Sequence, residues 1–303
     1  MKVAQASPDG TRWTVRRVLI LVASLAWLAV GHGIDAQEKT FLWKVSKNDR
    51  SLYLLGSIHY LRKENFPLHK SIIEAFNASK RLVLEIDLNR VSSDVQKVTL
   101  DKAVYRDGQT LQQNVSKETY QLTEQQAAKL GIDMEVMATM KPWFVGLTLV
   151  AIKLQLIGLD PNLGVDHYLA ERAKRSGKPT GGLETLEFQM RLLDQMSSRD
   201  QESFLRGSFA ELDLLDTDLE QIVQAWLKGD GNLLETLLLA GMKEHPEVHE
   251  KLIVDRNRRW VPQIEKILAQ GDGAMVVVGA AHLVGKDGVI EMLKARGYRL
   301  EQR

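Results

Sequence analysis

Val276-Val-Val-Gly-Ala-Ala-His282 and Leu52-Tyr-Leu-Leu-Gly-Ser-Ile-His59 decide how this chain folds. Each is an apolar run of strand length that ends in Gly-x-x-His. Three β-branched valines make the first the better strand former, while leucine and tyrosine carry the second. A glycine at a strand end implies a tight turn or a close backbone approach, where a Cβ would not fit. Each histidine then falls on the loop just past its strand, the rim where ligands bind in open α/β sheets. Two such ends, far apart in the chain, meet if their strands share one sheet. The pattern needs its strand context. Gly164-Val-Asp-His167 also fits it, but follows a loop and opens a helical pattern, so His167 reads as an ordinary helix residue.

Around these two stretches the chain is β-rich at its ends and helical between them. Phe41–Ser46 and Ser51–Gly56 flank a polar turn and predict a β-hairpin. Pro67–Ser79 predicts a helix with Pro67 in its first turn. Arg81–Leu88 predicts a buried strand whose Glu85 and Asp87 share one face. From Ser92 to about Gln270 the pattern is almost wholly helical. A helix is expected to start at Thr123-Glu124, others to span Pro142–Ile157 and Leu163–Ser176, and an amphipathic stripe runs from Leu215 to Leu227. Glu247–Ala269 reads as a long charged helix, Asp287–Arg296 as another, and Tyr298 begins an edge strand. The fold class is therefore α/β. A central mixed sheet is built from the two ends of the chain around a largely helical middle, and the recurrence of strand, Gly-x-x-His and helix points to a degenerate two-fold repeat.

The 303 residues are 44% apolar and 26% charged with a net charge of +1, a globular composition that gives no reason to expect nucleic acid as a partner. The first 36 residues differ. Arg12, Arg16 and Arg17 precede the apolar run Val18–Val30, and a short polar stretch ends at Ile34-Asp35-Ala36. This is the layout of a secretory signal, and 13 apolar residues are short of the ~20 a membrane span needs. Residues 1–36 are expected to be a signal peptide directing export to the periplasm, and 37–303 one domain. If Ile34 spoils cleavage, residues 18–30 become an inner-membrane anchor. With no cysteine, disulfides, thiolate metal sites and cysteine hydrolysis are excluded.

Other motifs fail. Gly279–Lys286 has the wrong spacing for a phosphate loop, Gly271-Asp-Gly273 precedes its strand, and no Gly-x-Ser-x-Gly elbow exists. His245 and His249 have the i, i+4 spacing of a zinc helix, but Pro246 stands where that motif needs glutamate.

The remaining blocks resemble the TraB/GumN family, whose relatives include the Tiki metalloproteases and the pheromone-shutdown proteins. The likeness runs through Phe41–Val45, Tyr53–His59, Leu82–Asp87, Lys141-Pro-Trp143, Gly164-Val-Asp166, Gly177-Lys-Pro179, Leu183-Glu-Thr185, Arg256-Asn257, Val278–Gly285 and Gly297-Tyr298. Ala281 stands where the family usually has glycine. The resemblance implies a metal-dependent hydrolytic site made by His59, Glu85 and His282, with Arg256 and Asn257 as the family's Arg-Asn pair.

Two imidazoles and a carboxylate suit a divalent cation such as Mn, Co or Zn. Glu85 is then either a ligand or the general base. Asp87 is a candidate to orient a histidine, and Arg256 to stabilise an oxyanion or hold a substrate carboxylate. The expected function is hydrolysis of peptide bonds, the substrate being a peptide or small molecule. Two rivals remain open: a non-enzymatic periplasmic binder of a peptide, pheromone or haem-like ligand, and a scaffold acting through the helical middle.

Overall fold

The computed structural model describes residues 39–92, 101–106, 108–239 and 245–303. The predicted signal segment lies outside the described residues. Six strands form one sheet: β1 (Leu42–Lys47), β2 (Arg50–Ser57), β3 (Arg81–Ile86), β4 (Thr180–Glu184), β5 (Ala274–Gly279) and β6 (Arg299–Gln302). Ten principal helices accompany it: α1 (Lys70–Ala78), α2 (Lys117–Lys129), α3 (Pro142–Leu156), α4 (Val165–Ser176), α5 (Leu186–Asp194), α6 (Ser198–Thr217), α7 (Leu219–Leu227), α8 (Gly231–Leu239), α9 (Asp255–Gln270) and α10 (Val289–Ala295).

The strand order is β4-β3-β5-β2-β1-β6. The valine run became β5, buried at every position, as expected of a central parallel strand with both faces covered. β4, β3, β5 and β2 are mutually parallel, so their carboxyl ends share one edge. The register sets Gly56 beside Val278 and Ser57 beside Gly279. Both Gly-x-x-His segments therefore leave the sheet side by side. β1 runs antiparallel to β2 and β6, which closes the other flank.

Trp226 of α7 donates its indole N–H to the Gly56 carbonyl at 2.7 Å in the buried interior. Trp260, Val261 and Ile264 of α9 join it, with Leu54, Leu55, Val276 and Val277, in the main core. Each such side chain contributes about 1.5–3 kcal/mol through removal from water. The helical middle packs round a cluster of its own, in which Val145 and Leu149 of α3 meet Leu205, Phe209 and Leu212 of α6.

Several expectations change. The middle contains a strand, β4, whose Thr-Gly-Gly-Leu-Glu carries almost no strand propensity and is held by pairing with β3. α1 begins at Lys70, three residues beyond Pro67, with the His69 side chain accepting from Ser71 N–H. α2 begins at Lys117, where the Ser116 hydroxyl accepts from Thr119 N–H, and Thr123 is buried mid-helix. The stripe from Leu215 to Leu227 is divided between α6 and α7 at Asp218. A two-fold repeat is not shown. Among the described residues, no helix is long and apolar enough to cross a membrane.

Candidate active site

The shared carboxyl edge carries Glu85 near the end of β3, Glu184 at the end of β4, Gly279 at the end of β5 and His59 just past β2. Gly279 explains its own identity. A Cβ built there would lie 3.2 Å from Glu85 Oε1, 3.5 Å from His59 Nε2 and 3.7 Å from His282 Cδ2. The missing side chain is the cradle on which these three residues converge. Both imidazoles are thus far nearer than the ~10 Å beyond which no single metal could be shared, given metal–nitrogen bonds of about 2 Å.

His59 is fixed from outside the sheet. Its Nδ1 donates to Asp166 Oδ1 at 3.0 Å, leaving Nε2 for the cradle. Asp166 stands in the first turn of α4, where a carboxylate also suits the helix dipole. α4 reaches that place because Gly164 lies against the His59 backbone. A Cβ there would be 2.3 Å from the His59 carbonyl oxygen, and Val165 N–H donates to the Ile58 carbonyl at 3.0 Å. The surrounding protein opposes charge on the ring. The Asp166 carboxylate, by its charge and its hydrogen bond, and Glu85 more than offset this, raising the His59 pKa to about 9. Half of the side-chain surface, 54%, still faces solvent.

His282 is fixed from inside. Its Nδ1 donates to Asn257 Oδ1 at 2.7 Å. Asn257, wholly buried on α9, spends its amide N–H groups on the carbonyls of His282 and Asp287 at 3.2 and 2.8 Å, so its oxygen can only accept. The tautomer follows: Nδ1 carries the proton and Nε2 keeps its lone pair. Burial above all, with the cations of Arg256 and His59 and the nearby His249, holds the His282 pKa down to about 3 against the opposing pull of Glu85.

Arg256 ties the acids together. It donates through Nη2 to Glu85 Oε2, through Nε to Glu184 Oε2 at 3.0 Å and through Nη1 to His282 Nε2 at 3.1 Å. Its guanidinium also lies over the Trp260 ring at 4.6 Å. Glu85 Oε1 accepts from Gly279 N–H at 2.7 Å, and Gln189 adds a bond at 3.3 Å to Oε2. Burial alone would raise the Glu85 carboxyl. His282, Arg256, His59 and the Gly279 N–H together outweigh it and hold the pKa at about 2.

Asp87 does not orient a histidine. Its Oδ1 accepts from Thr180 Oγ1 at 2.8 Å and from Asn89 N–H at 3.3 Å, capping the turn after β3. The orienting groups are Asp166 and Asn257 instead. His167 makes no contact with the cradle and lines a neighbouring cavity. His245 precedes the short helix Pro246–His249, while His249 comes near enough to influence His282.

Among the described residues, no three His, Asp or Glu side chains stand close enough to hold a metal ion as now arranged. The Arg256 guanidinium bridges Glu85 and His282. The donor set nevertheless suits a divalent cation: two imidazoles whose outer nitrogens are committed elsewhere and one ionised carboxylate, all converging at Gly279, where no side chain stands between them. The pocket in front, about 110 Å³, is walled by Ser57, His59, Glu85, Asp166 and Gln189 among others. Ser57 Oγ is buried there without a hydrogen-bond partner among the described residues.

A mixed sheet with paired Gly-x-x-His rims and an intervening glutamate defines an α/β protein with a polar site at its carboxyl edge. The chain belongs to the TraB/PrgY/gumN family, whose model matches residues 41–302. It is 26% identical to YbaP of Escherichia coli (strain K12), over 81% of this chain and 89% of that protein. It is 23% identical to the metalloprotease TIKI2 of Danio rerio, over 97% of this chain and 68% of the fish protein. An uncharacterised protein of Treponema pallidum is 21% identical over 87% of this chain. No solved structure matches the chain.

Proposed function

We propose that this protein is a metal-dependent hydrolase acting on peptide bonds, with His59, Glu85 and His282 holding a divalent cation such as Mn, Co or Zn. The observation that carries this reading is their convergence on the space left by Gly279, each histidine keyed by a partner on its other nitrogen. The distant relative named as a metalloprotease supports it.

When bound, the cation would lower the pKa of a coordinated water and polarise a carbonyl. Asp166 and Asn257 aim the two imidazoles. Arg256 is placed to face negative charge developing on a substrate oxygen, once one of its N–H groups leaves His282. With a pKa near 2 and both oxygens hydrogen-bonded, Glu85 is a weak proton acceptor at neutral pH, which favours the ligand role over that of general base.

Export is part of the proposal, on the basic, apolar and polar layout of residues 12–36. Mass spectrometry of the mature N-terminus should find it near Gln37 in the periplasm. Full-length protein in the cytosol would contradict export. The activity is tested by metal analysis of protein purified without chelator, together with peptide cleavage by wild type, His59→Ala, Glu85→Gln and His282→Ala. Bound metal and turnover in the wild type, both lost with either histidine, are expected. Peptide binding without metal or turnover would favour the non-enzymatic binder.

A further inference from the structure

The pocket at Glu85 has a neighbour. Ile86 and Leu88, which wall it, also wall a larger cavity of about 320 Å³. The far side of that cavity is formed by Leu186 at the start of α5 and by α4, through His167, Ala170 and Glu171. A single helix thus serves both spaces: Asp166 in its first turn faces the site, and Glu171, a turn further on, faces the cavity.

Two features of this cavity call for an occupant. Leu88 is 37% exposed, one of few large apolar side chains so open among the described residues. Glu171 makes no hydrogen bond or ion pair among the described residues, and Lys174 and Arg175, one turn further along the same helix, stand exposed without pairing with it. Arg172 lies over the Phe76 ring at 5.6 Å, and Arg90 pairs with Asp87 at 3.3 Å. A purely apolar occupant would strip water from the Glu171 carboxylate and give nothing in return. A side chain with an aliphatic stem and a cationic head satisfies both walls.

Resting on the hydrolase reading, we propose that this cavity is a substrate subsite for a lysine or arginine side chain adjoining the bond to be cut. Ile86, Leu88 and Leu186 take the stem, and Glu171 takes the charge.

The test uses fluorescein-labelled peptides identical except at one position, which is Lys, Arg, norleucine or Glu. Binding is read by anisotropy on metal-stripped protein, and cleavage on metal-loaded protein. The Lys and Arg peptides should bind at least ~10-fold tighter than norleucine, as for a hydrogen bond to a charged group. Glu171→Gln should erase that margin, and Glu171→Lys should transfer it to the Glu peptide, with melting temperatures checked for each variant. Equal binding of Lys and norleucine peptides by wild type would overturn the subsite, as would a margin that survives Glu171→Gln. The two readings separate cleanly. A Glu171-dependent margin without any cleavage keeps the subsite and removes the hydrolase; cleavage without a margin does the reverse.

Discussion

His59 and His282 end the same motif on neighbouring parallel strands, yet the fold treats them oppositely. His59 stands half in solvent, carries a proton at neutral pH and leans on a carboxylate. His282 is 4% exposed, neutral, and leans on an amide. The difference lies in the partner each rim was given. A carboxylate from α4 welcomes positive charge, whereas a buried amide whose N–H groups are already spent only fixes a tautomer. Identical sequence motifs therefore supply one nitrogen that must lose a proton before it binds a cation and one that is ready.

The largest effect expected on this pair comes from the residue that links it to the acids. Arg256→Met leaves Glu85 and Glu184 buried without their counter-charge, and chemical denaturation should show a loss of about 3–5 kcal/mol. A loss below about 1 kcal/mol would mean the cluster is solvated and the contrast between the rims overstated.

Next come the two orienting residues. Asp166→Ala and Asn257→Ala should each weaken metal binding by roughly 10–100-fold. Asn257→Ala should cost the more stability, about 1–3 kcal/mol, because it strands buried carbonyls and an N–H, while water can replace part of what Asp166 gives the half-exposed ring. Equal stability losses would break the inside-outside distinction.

The protonation contrast is read by histidine NMR titration of metal-free protein. His59 should titrate near pH 9 and His282 near pH 3, and Asp166→Asn should bring His59 down towards its ordinary value. The folded pKa of His59 lies above 6.5, so its contribution to stability is complete below pH 6.5 and lost as pH rises through about 9. The His282 value lies below 6.5, so its contribution is present above pH 6.5 and fades as pH falls towards about 3. His282→Gln should flatten that acid limb.

The smallest expected change in stability is that of Gly279→Ala. A methyl 3.2 Å from Glu85 Oε1 asks for a shift of a few tenths of an ångström, so melting should move little while metal binding falls sharply. Full metal binding by this variant would show that the cradle is not where the cation sits.

Much of this arrangement was legible in the chain. Strand propensity and the paired motifs placed β2 and β5 in one sheet, and a carboxylate in the apolar run of β3 marked Glu85. β4 was hidden because Gly181 and Gly182 carry no strand preference, and although Glu184 lay within the Leu183-Glu-Thr185 block, nothing in the sequence gave it a role. Asp87 was the candidate because it follows Glu85 by two residues on one predicted strand. The real partner lies 107 residues away from His59, brought in by the close approach of Gly164, which only the folded backbone reveals. Asp166, too, lay within a resemblance block, Gly164-Val-Asp166, without a role attached to it.

The most direct test of a shared metal centre is a calorimetric titration of Mn²⁺ or Zn²⁺ into chelator-stripped wild type and His282→Ala at pH 8. One equivalent should bind the wild type, and the variant should lose at least ~10-fold in affinity while melting as a folded protein. Unchanged affinity and stoichiometry in folded His282→Ala would contradict the site.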